Sequence, residues 1–139
     1  MPFQVVIDTS VLVAAARSKT GASFELLRLF AAGDPRWEWN ISTALLVEYE
    51  AVLKREQHRQ GRDFSVVERF LDDVAARANR HAIFYLVRPY LADPDDEFIL
   101  KLALASASQY VVTHNRGDFP DAERFGVRVV TPAEFLKII

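Results

Sequence analysis

Asp8 in FQVVIDTSVLV, Glu48 in LLVEYEAVL, Asp96 in ADPDDEFILKLA and Asp118 in YVVTHNRGDF are four well-separated carboxylates that stand where strands should end or helices begin. Gathered in one pocket without matching bases, such acids are stable only around a divalent cation, and a cluster of that kind can hydrolyse phosphodiesters. Two unit charges about 4 Å apart repel by about 4 kcal/mol at an effective dielectric near 20, so the cation relieves a frustrated site. Mg2+ and Mn2+ prefer hard oxygen ligands, and Mg2+ takes one or two carboxylates with water and substrate phosphate completing its shell. Four acids therefore suffice for one or two ions. A pair of ions about 3.5–4 Å apart supports in-line displacement by water, with no side-chain nucleophile.

Each acid also has an ordinary reading. Asp8-Thr9-Ser10 is the start of a capped helix, and Asp93, Asp95, Asp96 and Glu97 complement a helix dipole, although four acids in five residues exceed that need. Asp96 is preferred to Asp95 because it leads an apolar face, with Ile99, Leu100 and Ala103 three, four and seven residues on. Glu48 borders the apolar stripe of its helix, whereas Glu50 has Lys54 at i+4, an ordinary surface pair. Asp118 alone reads as a cap on the turn around Pro120. The combination carries the chemistry.

The elements that must position these acids follow from hydrophobic period and punctuation. Phe3 to Ile7 is an apolar, β-branched run without polar alternation, which suits a strand covered on both faces. Thr9 to Ala16 reads helical, and Phe24, Leu27, Phe30 and Ala31 continue at helical spacing until Gly33-Asp34-Pro35. Trp37 to Ile41 is a second strand, and Ser42 caps a helix to about Glu56 with Leu45, Tyr49, Val52 and Leu53 on its stripe. Gln57 to Arg62 reads as a loop, Ser65 with Glu68 as a capping box for a helix to about Asn79, and Ala82 to Val87 as a third strand.

Asp93-Pro94 predicts an N-cap and a first-turn proline for a helix over Asp95 to Ser108, with Ile99, Leu100, Ala103 and Ala107 on one face. Tyr110 to Val112 and Val127 to Val130 are the last strands, and Thr131-Pro132-Ala133-Glu134 starts a terminal helix. Strands alternating with helices predict a mostly parallel sheet between helical layers, a three-layer α/β/α sandwich whose ligands sit at the carboxyl edge. Asp8 and the stretch from Asn115 to Asp118 fall on that edge.

Composition bounds the rest. A chain of 139 residues, half of them hydrophobic, fits one domain over residues 1–139. No run approaches the roughly 18 apolar residues of a membrane span, and no basic segment precedes an apolar one at the N-terminus, so a cytoplasmic protein is expected. Cysteine is absent, which excludes disulfides, thiolate nucleophiles and sulfur-rich zinc sites. The formal charge of −2 gives no bulk attraction for nucleic acid, so a polyanionic substrate needs local cations. Arg17, Lys19 and Arg116 are the best placed to meet phosphates. His58 and His81 read as surface or packing residues, and His114 lies nearer the site.

With VIDTSVLV, VEYEAVL, DPDDEFILKLALAS, YVVTHNRGDF and a closing TPAEFL in this order, the chain resembles a PIN-domain ribonuclease of the kind that serves as the toxin of prokaryotic toxin–antitoxin pairs. The resemblance implies metal-binding acids at Asp8, Glu48, Asp96 and Asp118, and polar pocket residues at Ser10, Thr113 and Asn115. It further implies a five-stranded parallel sheet, Mg2+- or Mn2+-dependent cleavage of single-stranded RNA, a homodimer, and inhibition by a small antitoxin near the active-site groove. An aspartyl-phosphate phosphatase is disfavoured, because Ser10 stands where its second aspartate is needed and no lysine lies between Thr113 and Asp118. A structure-directed DNA nuclease and a non-catalytic RNA- or partner-binding module are the remaining alternatives.

Overall fold

The computed structural model describes residues 1–83 and 94–139, with residues 94–97 described as backbone only. Five short strands form one all-parallel sheet in the order β3-β2-β1-β4-β5, comprising β1 (Phe3–Ile7), β2 (Trp37–Ser42), β3 (Asn79–His81), β4 (Tyr110–Val112) and β5 (Arg128–Val130). Helices α1 (Thr9–Arg17) and α2 (Ala22–Ala31) join β1 to β2, and α3 (Thr43–Arg59) and α4 (Ser65–Arg77) join β2 to β3. Helix α5 (Pro94–Ala105) precedes β4, and α6 (Pro132–Ile138) closes the described chain.

From β1 the chain steps outward to β2 and β3, then returns across β1 to β4. Right-handed crossovers therefore place α5 on the face opposite the first four helices, which completes the three-layer α/β/α sandwich. The strand order reverses between β1 and β4, and the crevice at the carboxyl end of such a reversal is where parallel sheets hold ligands.

The sheet is fully apolar where β1 and β4 cross its centre: Val5, Val6, Ile7, Val111 and Val112 have no exposed surface. One face is aromatic. Trp39 packs edge-on to Phe30 of α2 at 5.0 Å and to Tyr49 of α3 at 5.9 Å, and Phe135 of α6 meets Tyr110 at 5.5 Å. On the other face Gln4 of β1, Glu38 and Asn40 of β2, and Asn79 and His81 of β3 are polar instead. The Asn40 amide, 1% exposed, donates to Gln4 Oε1 (2.9 Å) and its oxygen meets His81 Nε2 (2.8 Å), while Asn79 Nδ2 reaches Glu38 Oε2 (3.2 Å).

That amide network explains where the third strand lies. Apolar content predicts it over Ala82 to Val87, but the pairing falls on Asn79–His81 against Asn40–Ser42, because side-chain amides bridge these strands as apolar contacts do elsewhere. Residues 84–87 of the expected strand lie outside the described residues, as does the expected cap Asp93.

Helix ends correct the sequence reading further. The third helix runs past Glu56 to Arg59, and its polar tail is a buried face: Glu56 and Gln57 are 6% and 7% exposed, and Gln57 Nε2 donates to the Asp63 carbonyl (3.1 Å). Gly61, at φ +69°, ends it, with Gly61 N donating to the His58 carbonyl and Arg62 N to that of Gln57. Ser65 is the first helical residue of α4 rather than its cap. Asp63 Oδ1 takes the Ser65 N–H at 2.6 Å, so the expected Ser65/Glu68 box does not form, and α4 stops at Arg77 because the chain enters β3.

The last turn of α5 also differs. Ala107 is not on its apolar face but beyond its end, exposed and left-handed at φ 53°, while Leu102 joins Ile99 and Ala103 in the core. Strand β5 starts at Arg128, one residue after Val127. The Thr131/Glu134 capping box with Pro132 in the first turn forms as expected.

Candidate active site

Asp8 directly follows β1, and its N–H extends the ladder to the Val112 carbonyl at 2.9 Å. Although Asp8 occupies the cap position of α1 with extended backbone, its carboxylate makes no cap hydrogen bond. Oδ2 instead accepts the Ser10 hydroxyl at 2.6 Å and the Thr113 hydroxyl at 2.7 Å. Oδ1 accepts none among the described residues. Two donors on one oxygen fix the orientation of the half-buried carboxylate and leave the other oxygen for a ligand.

The same hydroxyls hold the loop after β4. Thr113, fully buried, follows that strand, and its Oγ1 accepts the Asn115 N–H at 2.9 Å. Ser10 Oγ accepts the His114 N–H at 3.2 Å, and His114 Nε2 lies 2.7 Å from Ser23 Oγ at the start of α2. The loop between β4 and the 3-10 turn Arg116–Asp118 is thus anchored to α1 and α2. Asp118 sits on that turn, exposed, with its N–H on the Asn115 carbonyl at 3.0 Å.

Glu48 approaches from α3, where Glu48 Oε2 accepts the hydroxyl of Thr9 at 2.7 Å. Next to it, the fully buried Tyr49 donates its hydroxyl to the Ile7 carbonyl and accepts from Trp39 Nε1 at 3.3 Å. Burial pushes the Tyr49 phenol well above its ordinary pKa, and the negative charges of Asp8 and Glu48 push the same way against the Trp39 hydrogen bond. The two acids therefore share one neighbourhood. Thr9 and Tyr49 are site residues that sequence reasoning passed over: Tyr49 reads as part of an apolar stripe, and Thr9 as a helix start.

Among the described residues, no three acidic or imidazole side chains gather closely enough to hold an ion. Of the four expected acids, Asp8 and Glu48 are brought together through Thr9, Asp118 stands on the adjacent exposed turn, and the side chains of Asp96 and Asp95 lie outside the described residues on the first turn of α5. The donor chemistry fits a hard divalent cation. It is oxygen only, with one carboxylate oriented by two hydroxyls, and Mg2+ needs only one or two such carboxylates beside water.

The expected phosphate-binding cations differ in their freedom. Arg17 is committed to Glu56 through two hydrogen bonds of 2.8 and 3.1 Å. Together with Gln60 and Arg59, it holds the Glu56 carboxyl down to about 2. Arg116 lies 3.3 Å from both carboxylate oxygens of Glu134. Lys19 is exposed and makes no ion pair among the described residues. It stands, with Arg62, on the rim of an apolar cavity of about 780 Å³ between the first four helices, lined by Leu12, Phe24, Leu27 and Phe70. His58 is exposed on α3, and His81 is taken up by Asn40.

No helix among the described residues is long and apolar enough to cross a membrane. No curated protein matches this chain. A solved domain of a functionally unknown protein from Methanocaldococcus jannaschii shares the fold, with a TM-score of 0.53 at 17% identity over 93% of this chain and 90% of that one. The PIN domain profile matches residues 4–117, a span that takes in Asp8, Glu48, Asp96 and Thr113 and ends one residue before Asp118. With the match covering most of its length and the five-stranded parallel sheet beneath it, the chain belongs to the PIN-domain family, a nuclease fold.

Proposed function

We propose that this PIN domain is a Mg2+- or Mn2+-dependent endoribonuclease that cleaves single-stranded RNA, acting in the cytoplasm as the toxin of a toxin–antitoxin pair. The observation that carries this reading is the Asp8 carboxylate, held by Ser10 and Thr113 at the reversal point of the sheet with one oxygen left for a ligand. Asp8, Glu48, Asp96 and Asp118 are the residues that would hold the cation. When bound, that ion supplies acidified water and charge neutralisation at the phosphodiester.

The chain's own groups do the rest. Ser10 and Thr113 keep Asp8 in one rotamer, and Thr9 keeps Glu48 turned toward α1. The loop of Thr113 to Asn115 lies against Ser10, so the backbone beside Asp118 is fixed before substrate arrives. Lys19 supplies positive charge to an RNA backbone. The apolar cavity, with Lys19 and Arg62 at its rim, suits an antitoxin segment that carries apolar residues flanked by acids. The active protein is a homodimer in this reading.

The test is a labelled single-stranded RNA incubated with the protein and Mn2+, with and without EDTA, beside a DNA strand of the same sequence. Cleavage of RNA that EDTA and Asp8→Asn both abolish supports the proposal. Cleavage of DNA alone replaces the substrate, and binding of RNA without any product replaces the enzyme by a binding module.

A further inference from the structure

Residues 7–9 and 48–49 close a small ring. From α3, the Tyr49 hydroxyl reaches the Ile7 carbonyl, one residue before Asp8. In the opposite sense, the Thr9 hydroxyl, one residue after Asp8, reaches Glu48, one residue before Tyr49. Two hydrogen bonds on either side of Asp8 thus tie the same two backbone segments, and these segments carry the two acids that the described site brings together.

The Tyr49 bond is not needed to fill the core. Its ring is completely buried against Trp39, and a phenylalanine would occupy the same apolar space. A buried hydroxyl costs stability unless it is satisfied, so its presence is explained by what it bonds. The pairing of β1 with β2 ends at Val5 opposite Trp39, and the Ile7 carbonyl lies beyond it. The phenol takes that carbonyl where the strand ladder no longer does. Trp39, 1% exposed and packed between Phe30 and Tyr49, donates to the phenol and holds it from the far side.

Resting on the metal-dependent reading above, we propose that Tyr49 is a positioning residue for the acidic site: its hydroxyl, by holding the Ile7 carbonyl to α3, sets the separation of Asp8 and Glu48. Tyr49 touches neither metal nor substrate in this role. It acts through the two carboxylates.

The test compares wild type, Tyr49→Phe and Phe135→Leu as metal-free full chains, titrated with Mn2+ by calorimetry and melted in EDTA. Phe135 is fully buried on α6, packed against Phe3, Trp37 and Tyr110, so its truncation lowers stability while leaving the ring intact. Tyr49→Phe should weaken Mn2+ binding by about 10–100-fold, the usual effect of losing a group that orients a ligand. Phe135→Leu should bind as wild type does at a temperature where both are folded. Binding by Tyr49→Phe within a factor of about two of wild type overturns the positioning role while sparing the metal reading. Equal weakening in Phe135→Leu overturns it as well, because general loosening then accounts for the effect. A wild type that takes up no Mn2+ sinks the metal reading, and this role with it.

Discussion

Thr113→Val isolates the hydroxyl that joins β4 to Asp8. The side chain is completely buried, and valine has the same shape, so no cavity opens and the change is confined to the lost oxygen. Two hydrogen bonds disappear: the 2.7 Å donation to Asp8 Oδ2 and the 2.9 Å acceptance from the Asn115 N–H. A bond to a charged group contributes about 1.5–3 kcal/mol, whereas a neutral one contributes about 0.5–1.5 kcal/mol. Asn115 is exposed, so its N–H turns to water at small cost, and the carboxylate bond dominates. The expected loss is therefore about 2–3 kcal/mol, which for a domain of this size lowers Tm by roughly 6–12 °C.

Thr113→Ser keeps the hydroxyl and removes one buried methyl, a loss of about 1 kcal/mol. Urea denaturation of both variants in EDTA, at unchanged m value, measures the difference. The serine variant should be the more stable of the two. If valine matches wild type, or if serine falls below valine, the hydroxyl is not what holds Asp8 and the account of the site is wrong.

Other consequences are as specific. The Glu56 carboxyl is held from 4.5 down to about 2, chiefly by the Arg17 hydrogen bond. A depressed folded pKa gives stability that is present above pH 4.5 and lost as pH falls toward 2, so Glu56→Gln should flatten the acid limb of the stability curve within that window. An unchanged limb refutes the pairing. Because Arg17 is neutralised by Glu56 and Lys19 is not, Lys19→Gln should reduce the salt dependence of RNA binding by about one unit of slope, while the double change Arg17→Gln, Glu56→Gln should leave it nearly unaltered. Anisotropy titrations in EDTA at several salt concentrations decide this, and the reverse ranking removes Lys19 from the substrate path. Ala107 holds a left-handed cap whose cost to alanine, about 1–2 kcal/mol, exceeds what glycine loses in chain entropy, so Ala107→Gly should stabilise by about 0.5–1 kcal/mol in urea denaturation. A destabilised glycine variant contradicts the strain.

The sheet was legible wherever it is dry. Val5 to Ile7 and Tyr110 to Val112 sit at the centre and carry the uninterrupted apolar pattern that burial on both faces requires. The third strand was not, because Asn79-Arg80-His81 joins the edge through the His81 imidazole on Asn40 and the Asn79 amide on Gln4 and Glu38, which leave no apolar period to read. The end of α3 escapes the pattern for a related reason. Its last turn buries a glutamate and a glutamine, residues that pattern reasoning assigns to solvent, although Gly61 already marked the true stop. The left-handed Ala107 gives no such mark, since alanine carries no signal for that conformation.

At the site, Asp8 could be placed from sequence because it ends a buried strand of a parallel sheet, and topology then brings it to the carboxyl edge. What could not be read was the work of the hydroxyls. Asp8-Thr9-Ser10 has the look of a helix cap, and on composition alone capping competes evenly with catalysis. In three dimensions the three consecutive side chains take separate partners: Asp8 turns to Thr113, Thr9 to Glu48, and Ser10 to Asp8 and the His114 N–H. No side-chain hydrogen bond is spent on capping α1. The segment that opens this helix thereby gathers β4 and α3 around one carboxylate at the reversal point of the sheet, and an ordinary helix start would have no reason to forgo its own cap to do so.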